Sequence, residues 1–317
     1  MLYTKHSVTE INISSLPCTR IEGVSHFDVG KVFDCGQSFR FDRVFSSTHE
    51  GEFSGCVMGK YVSVAQDGDT LYLYNVTREE YESFFCRYLS LDRDYGEINA
   101  NILSLSSNST LFEAVSVSDG IRILKQEPWE AICSFIISQN NNIPRIKKII
   151  AALSKKCGTA IDVSLMSGHI AESHLEQDGN FYSFPTAKDI LALGVDGLFE
   201  LKTGFRAQYI YDAAQRMESG EIDLEFLCSD ARTEDCIEHL CSVKGIGPKV
   251  ASCALLFGFA RLDAFPVDVW IKKAILKYFG DSFSPTDLGK YAGVAQQYLF
   301  YYERYLVNEK GENKNDR

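Results

Sequence analysis

The stretch 242–273, SVKGIGPKVASCALLFGFARLDAFPVDVWIKK, decides how the C-terminal half of the chain folds. Gly245 and Gly247 permit the positive-φ backbone of a tight turn between two helices. Pro248 suits the first turn of the second helix, where a backbone donor is not needed. The exposed amides at that helix start favour a phosphate group. The pattern predicts a helix–hairpin–helix that holds a nucleic-acid backbone, although many ordinary helix–helix turns also contain glycine.

Two ionisable residues of this stretch are candidates for chemistry. A lysine acts as a nucleophile only as the free amine, which burial or a helix N-terminus favours. Lys249 lies at such a helix start and precedes the apolar run VASCALLF. Asp268 precedes a second helix, where it can stabilise a developing cation or assist proton transfer. The structural alternative for Lys249 is a contact to a phosphate. The alternative for Asp268 is a helix N-cap, which would stabilise its helix by about 1 kcal/mol.

The composition is that of a globular protein inside the cell. The chain has 317 residues, of which 45% are hydrophobic and 24% charged, enough for two compact domains. No apolar run approaches the roughly 18–20 residues that span a bilayer, and the N-terminus has no secretory signal. We therefore expect no membrane partner and a bacterial-type cytoplasmic location, or a nuclear one if the source is eukaryotic.

The distribution of charge favours a nucleic-acid partner even though the net charge is −11. Residues 131–161 and 239–262 contain no acid, and each segment carries several cations. A basic face on an acidic protein is typical of nucleic-acid binding. For the first segment alone, a solvated helix face is an equally good interpretation. The cations are Arg145, Lys147, Lys148, Lys155 and Lys156, followed by Lys244, Lys249 and Arg261.

The ten cysteines do not form a ligand pattern. They are scattered along the chain without a Cys-x-x-Cys pair, which is more typical of reduced, buried thiols than of zinc or iron–sulfur ligands. The sequence therefore predicts no metal site and no cofactor.

Hydrophobic periodicity divides the chain into a strand-rich and a helical part. Residues 37–45 alternate as in a half-buried strand, and 51–76 predicts a meander with turns at Gly59–Lys60 and Asp67–Gly68. Thr77 and Glu80 have the spacing of a capping box, and from about residue 110 the pattern is helical.

The fold class predicted is α+β. It consists of an N-terminal antiparallel β-sheet domain, residues 1–112, and a larger all-helical domain, residues 113–307, with the helix–hairpin–helix motif. Residues 308–317 are predicted to be a polar tail.

Five motifs together resemble a known family. The stretch VKGIGPKVASCALLFGFARLDAFPVDVW is similar to the helix–hairpin–helix and aspartate of base-excision DNA glycosylases, and a lysine at position 249 is typical of bifunctional members. The chain further resembles the 8-oxoguanine DNA glycosylase family, in order from about residue 30 to 305. The motifs that carry this resemblance are CGQSFRF (35–41), SQNNNIPRI (138–146), GFRAQYI (204–210) and YAGVAQQYLF (291–300).

The resemblance implies a reaction and a partner. Lys249 would attack C1′ of the damaged nucleoside, expel the base and form a Schiff base, after which β-elimination nicks the strand. Asp268 would stabilise the sugar cation or position the lysine. Chemistry at C1′ of a stacked nucleotide requires base flipping. The implied partner is damaged double-stranded DNA, bound by a monomer.

The resemblance also implies a pocket for the flipped base. Gln296 and Phe300 are one helical turn apart, so the amide and the ring share a helix face. They would read the base edge and stack on one side of the base, while Cys253 packs on the other. Gly36 would offer its carbonyl to N7–H of 8-oxoguanine, a hydrogen that guanine lacks. Ordinary core packing is the alternative for Phe300 and Cys253.

A second group of residues would contact the duplex. Asn140 would fill the gap that the flipped nucleotide leaves, and Arg145 and Arg206 would read the estranged cytosine. Phe205 would act as an aromatic wedge between bases.

The chain departs from the family pattern at two positions. Trp270 stands where animal members have histidine, and Pro144 lies in the turn that carries Asn140. Both departures bear on how strictly cytosine is required opposite the lesion.

The sequence also bears on the alternative functions. An iron–sulfur glycosylase of the same fold needs four cysteines beyond the hairpin, but no cysteine follows Cys253. Lys249 and the motif CGQSFRF disfavour a monofunctional glycosylase for alkylated bases, and a different lesion specificity stays open. A catalytically silent DNA-binding relative would be expected to lack Lys249 or Asp268.

Overall fold

The computed structural model describes residues 6–13, 15–176 and 181–315, with side chains described up to residue 304. An antiparallel sheet of six strands is followed by a helical part, as the sequence predicts, so the α+β fold class is confirmed. The strand order in the sheet is β1-β2-β6-β5-β4-β3. The strands are β1 Ser7–Ile13, β2 Leu16–Glu22, β3 Phe41–Arg43, β4 Gly51–Val57, β5 Lys60–Asp67 and β6 Thr70–Tyr74.

The sheet differs from the prediction in its details. Strands β1 and β2 lie in a region for which the sequence analysis predicts no strand, and β1 is a mostly exposed edge strand without an apolar face. The strand predicted over 37–45 shrinks to β3. Pairing of Val57 with Lys60, and of Asp67 with Thr70, moves each predicted turn by one residue. A slip of one residue would turn every side chain to the other face, so burial sets this register.

The helices up to the sheet–helix junction are short. They are α1 Val29–Asp34, α2 Arg78–Glu80, a π-helical turn Tyr81–Phe85, α3 Cys86–Tyr88, α4 Tyr95–Ser104 and α5 Ser109–Ser118. The predicted capping box is present at the start of α2, where Thr77 and Glu80 bond each other's backbone.

The remaining helices build the larger part of the molecule. They are α6 Pro128–Ser138, α7 Ile143–Cys157, α8 Glu172–Glu176, α9 Ala187–Glu200, α10 Arg206–Glu218, α11 Leu224–Cys228, α12 Thr233–Cys241, α13 Pro248–Gly258, α14 Val269–Tyr278, a 3₁₀ helix Pro285–Tyr291 and α15 Ala292–Asn315. Helix α15 extends into the segment 308–317 that is predicted to be a polar tail, whose side chains lie outside the described residues. Among the described residues, no helix combines the length and apolar character that crossing a membrane requires.

The two parts of the chain interlock. Cys35 and Phe39, from the sheet part, are buried in the hydrophobic core of the helical part. Residues 158–176 and 181–183, which we call the strap, leave the helical part and pack Met166 on one face of the sheet. Helix α1 and the helices over 78–88 cover the other face. The sheet is therefore covered on both faces only with the help of residues from the helical part.

Two carboxylate–histidine contacts attach the strap to the sheet. Glu52 on β4 lies 2.8 Å from the ring of His169, and Asp42 on β3 lies 2.9 Å from the ring of His174. Asp42 also pairs with Lys147 on α7. Burial alone would raise the pKa of Asp42, but His174 and Lys147 outweigh it and lower the pKa from 3.8 to about 2. The Asp42 carboxylate is thus more favourable in the folded state than in the unfolded state.

The contacts of the Asp42 carboxylate with His174 and Lys147 predict an acid-sensitive contribution to the free energy of unfolding. Because the pKa of Asp42 is lower in the folded than in the unfolded state, its ionisation stabilises the protein at a pH above the unfolded-state pKa. This contribution is lost as the pH falls towards about 2. The shift corresponds to about 2 kcal/mol. Urea unfolding should show Asp42→Asn to be less stable than the wild type at about pH 6.5, with a difference that shrinks at about pH 3. The exposed Asp69→Asn is the control, and a pH-independent difference would contradict the assignment.

Candidate active site

A cavity of about 450 Å³ opens at the junction of the two parts. Its walls come from the loop after α1, from α6 and α7, from the start of α13, and from α14 and α15. Four of the site residues predicted from the sequence line it: Gly36, Lys249, Asp268 and Phe300. The structure thus brings residues that are more than two hundred positions apart in the sequence into one cavity.

The hairpin before this cavity joins α12 to α13, as predicted. Gly245 has φ +86°, and a Cβ there would lie 2.1 Å from the ring of Tyr209, so only glycine fits the turn. The expectation of a positive φ at Gly247 is wrong, because Gly247 is the N-cap of α13 with φ −93° and ψ 175°. A Cβ at Gly247 would meet no atom within 4 Å. Without a side chain at Gly247, the first backbone amides of α13 are open to a ligand.

Lys249 lies in the first turn of α13 and faces apolar and sulfur atoms. Its Nζ lies 5.7 Å from the centre of the Phe135 ring. The amine also contacts the thiol of Cys253, one turn further along α13. Burial raises the pKa of that thiol, and the Lys249 amine acts against this rise. The amine therefore stands at the cavity wall with a neutral thiol and an aromatic ring beside it.

Asp268 has both a structural and a chemical position. It is the N-cap of α14, and its Oδ1 accepts from the backbone N–H of Ile271 at 2.7 Å. Its side chain lines the cavity together with Lys249. None of the described residues donates a hydrogen bond to Oδ2. The cap holds the carboxylate in place while one oxygen stays available to a ligand.

Two acceptors have no partner among the described residues: one on Gly36 at the cavity, and one on Gln296, which lies a helical turn before Phe300 and, like Cys253, is not among the lining residues. Gly36 has φ +85°, and a Cβ there would lie 3.7 Å from the Phe300 ring, so its backbone is close to that ring. No described residue donates to the Gly36 carbonyl. The side-chain oxygen of Gln296 is buried and has no hydrogen-bond partner. A buried acceptor without a partner costs about 1–3 kcal/mol, so the Gln296 oxygen indicates a ligand that carries donors. The half-buried Gly36 carbonyl is a second acceptor that such a ligand could use.

The neighbouring carbonyls are, in contrast, satisfied, including that of Gln37 after Gly36, which accepts from Gln126 Nε2 at 2.7 Å. The Cys35 carbonyl accepts from Gln297 Nε2 at 2.9 Å, and the Asp34 carbonyl accepts from Arg304 Nη1 at 3.0 Å. The free acceptor is therefore confined to one peptide of the loop.

Arg206 does not lie where the sequence analysis expects it. Its side chain is 2% exposed, and its guanidinium donates to the carbonyls of Gln139, Asn140 and Thr203. Burial lowers the pKa of Arg206, and the positive charge of nearby Arg145 lowers it further. In this structure Arg206 holds the turn that carries Asn140 and does not face open space as a base reader would.

The other predicted duplex-contacting residues are exposed. Asn140 projects from the turn after α6 with φ +46°, and Arg145 at the start of α7 donates to the Lys202 carbonyl at 3.4 Å. Phe205, 52% exposed, stacks edge-on against Tyr209 with ring centres 5.8 Å apart. Tyr209 in turn packs against Gly245. Asn140, Phe205 and the hairpin thus share one surface.

Sequence reasoning missed several residues of the cavity. Arg304 lies one turn after Phe300, with its guanidinium 5.9 Å from that ring. The spacing 296, 300 and 304 on α15 was the available signal for it. Trp270, noted only as a departure, lines the cavity and is 58% exposed. The other missed lining residues are Phe39, Phe135, Ser138, Asn141, Ile143, Ile146 and Glu303.

Over the part of the chain that the structure describes, no group of three histidine, cysteine, aspartate or glutamate residues has a geometry that could hold a metal ion.

Comparison with known proteins agrees with this architecture. Residues 19–132 match the model of the 8-oxoguanine DNA glycosylase N-terminal domain, and residues 133–288 match that of HhH-GPD superfamily base excision DNA repair proteins. Among curated proteins, an N-glycosylase/DNA lyase of Saccharomyces cerevisiae is 37% identical over 49% of this chain. The match spans 40% of the yeast protein's own length.

Two solved structures resemble the chain over nearly its whole length. MBOgg1 in complex with a low-affinity DNA ligand is 35% identical, with a TM-score of 0.82, and the match covers 96% of this chain and 100% of that chain. The second structure is the 8-oxoguanine glycosylase/lyase of Clostridium acetobutylicum in complex with double-stranded DNA containing cytosine opposite 8-oxoG. It is 34% identical, with a TM-score of 0.81, and the match covers 95% of this chain and 98% of that chain. This chain belongs to the 8-oxoguanine DNA glycosylase family, within the HhH-GPD superfamily of base excision DNA repair proteins.

Proposed function

We propose that this chain is a bifunctional DNA glycosylase and lyase that removes 8-oxoguanine from double-stranded DNA, with Lys249 as the nucleophile. The observation that carries the proposal is the cavity that Lys249, Asp268 and Gly36 line together, with no described donor to the Gly36 carbonyl. Family membership supports both activities, since the relatives are named N-glycosylase/DNA lyase and glycosylase/lyase.

The first step exchanges one bond at C1′ for another. The Lys249 amine forms a bond to C1′ as the glycosidic bond breaks, and the electron pair of that bond leaves with the base, which takes up a proton. The sugar carbon is positively charged in the transition state, so the unpaired oxygen of Asp268 stabilises it. Opening of the sugar ring then converts the amine adduct into a Schiff base between Lys249 and C1′.

The second step cuts the strand. The Schiff base withdraws electrons from C2′, so a proton leaves C2′ and the bond between C3′ and its phosphate oxygen breaks. Hydrolysis of the Schiff base would release Lys249 for another turnover. No metal or cofactor is needed for either step as written.

Lesion selection follows from the unpartnered acceptors. The Gly36 carbonyl accepts a hydrogen bond from N7–H of 8-oxoguanine, whereas guanine presents an acceptor there and would leave two acceptors opposed. Phe300 and Cys253 lie on either side of the base plane. The buried oxygen of Gln296 accepts from the base edge. Hydrogen-bond readout of this kind rejects the wrong base more strongly than shape alone.

The duplex lies across the surface shared by Asn140, Phe205 and the hairpin. The exposed amides at the start of α13 hold a phosphate of the damaged strand. Asn140 occupies the gap in the stack, Phe205 inserts beside it, and Arg145 contacts the opposite base. We expect a monomer to suffice for this, acting where the cell keeps its DNA: the cytoplasm of a bacterium, or the nucleus of a eukaryote.

The nucleophile is tested by borohydride trapping on a duplex with 8-oxoguanine opposite cytosine. The wild type should give a covalent adduct, and Lys249→Gln should give none, because only an amine forms a reducible Schiff base. Lys244→Gln, an exposed hairpin position, is the matched control and should still trap. Base release by Lys249→Gln without an adduct would identify water as the nucleophile and refute the proposed role.

Reading of the opposite base is tested at Arg145. Arg145→Gln should reduce the preference for cytosine over adenine opposite the lesion by about tenfold or more, because a good bidentate contact discriminates by about 1–3 kcal/mol. The measurement is the single-turnover excision rate on both duplexes. Lys148→Gln, exposed on the same helix, should keep the wild-type preference. A wild type that excises equally across from both bases would disprove this role of Arg145.

The hairpin provides a matched pair of substitutions. Gly245→Ala should lower both the melting temperature and DNA affinity, because it strains a positive φ and collides with Tyr209. Gly247→Ala should cost less than about 1 kcal/mol of stability but weaken DNA binding, since its methyl group covers the first amides of α13. Melting curves and binding to an abasic-site duplex distinguish the two. Equal losses of stability would contradict the conclusion that only Gly245 requires glycine for the turn itself.

A further inference from the structure

The orientation of the Gly36 carbonyl is not determined by its own residue. Glycine adopts many backbone conformations, and here it stands at φ +85° in a loop. A carbonyl that must distinguish two bases by one hydrogen bond has to be held within a few tenths of an ångström and a few tens of degrees. Contacts outside Gly36 must therefore hold its peptide plane.

Gln37, the next residue, anchors one side of this peptide. Its side chain is fully buried. Nε2 donates to the carbonyls of Val32 and Arg122 at 2.9 and 2.8 Å, and Oε1 accepts from the N–H of Leu124 at 2.9 Å. The amide thereby pairs with the extended segment 121–126 much as a neighbouring strand would.

Gln126 holds the Gly36–Gln37 loop from the other direction. Its Nε2 donates to the carbonyl of Gln37 at 2.7 Å, and its backbone N–H donates to the carbonyl of Phe257 at 2.8 Å. Phe257 lies on α13, the helix that carries Lys249. One residue thus joins the loop that would read the base to the helix that would carry out the reaction.

We infer that Gln126 is a positioning residue that fixes the Gly36 carbonyl relative to Lys249, and that lesion selection depends on it. The inference rests on the proposed function. Without the Gln126 donor, the Gln37 carbonyl lacks its partner and the Gln37–Ser38 peptide is no longer fixed. The adjoining Gly36–Gln37 peptide, which carries the Gly36 carbonyl, then loses its restraint on that side. The Lys249 amine itself stays in place, because the backbone bond to Phe257 does not involve the Gln126 side chain. Base excision should therefore be impaired while cleavage of an existing abasic site is not.

The experiment compares two single-turnover rates for Gln126→Met, which keeps the length of the side chain and removes the donor. Excision of 8-oxoguanine opposite cytosine should fall by about ten- to a hundredfold, as for a displaced contact group. Cleavage of a preformed abasic site, which presents no base to Gly36, should stay within about twofold of the wild-type rate. Lys125→Met, the exposed neighbour in the same segment, should leave both rates unchanged.

The outcomes separate this inference from the proposed function. Parallel loss of both rates, or loss of neither, would overturn the positioning role of Gln126. A wild type that cleaves abasic sites but does not excise 8-oxoguanine would instead refute the proposed substrate. Melting curves check that the variant folds. Should Gln126→Met not fold, Gln126→Glu keeps the shape of the side chain, replaces its donor with an acceptor, and is expected to give the same split between the two rates.

Discussion

The segment 121–126, of which residues 121–124 are buried, is the connection on which the arrangement of the two parts depends. Arg122 is almost fully buried and donates to carbonyls of four residues: Ser25, His26, Ser90 and Arg93. A guanidinium in the interior is costly unless its donors are satisfied, so these loops must take the positions that receive it. Four residues later, Gln126 bonds the loop after Gly36 and helix α13. The sheet part and the helical part are therefore joined by one set of hydrogen bonds, most of them from the side chains of this segment to backbone carbonyls.

This connection explains why the cavity lies at the junction. On the proposed function, recognition and chemistry would combine groups from distant parts of the chain: a carbonyl from the loop after α1, an amine from α13 and a ring from α15, all of which line this cavity. Sub-ångström placement of such groups cannot rely on a flexible linker. The interlock of Phe39 in the helical core with the strap on the sheet makes the two parts one packing unit. Rigidity at the junction is thus a requirement of the site as much as of the fold.

Local patterns predicted the features that depend on neighbouring residues. The hairpin, the cap at Asp268 and the shared face of Gln296 and Phe300 follow from helix geometry, and the structure has them. Burial of Arg206, packing of the strap on the sheet and the role of Gln126 were not predictable in this way. Each depends on a partner more than sixty residues away in the sequence or on which polar groups the fold leaves without water. Such pairings have no periodicity, so spacing alone gave no signal.

The loop at the cavity wall satisfies most of its own hydrogen-bond acceptors and leaves one free for a ligand. Every peptide carbonyl from Asp34 to Gln37 except that of Gly36 accepts a hydrogen bond from a side chain. The buried Gln296 oxygen is likewise left without a partner among the described residues. A buried acceptor of this kind costs about 1–3 kcal/mol in the free protein, and a ligand that donates to it recovers that cost. Because the neighbouring groups are satisfied, the free energy that a donor-bearing base can gain is concentrated at the two atoms that would identify it.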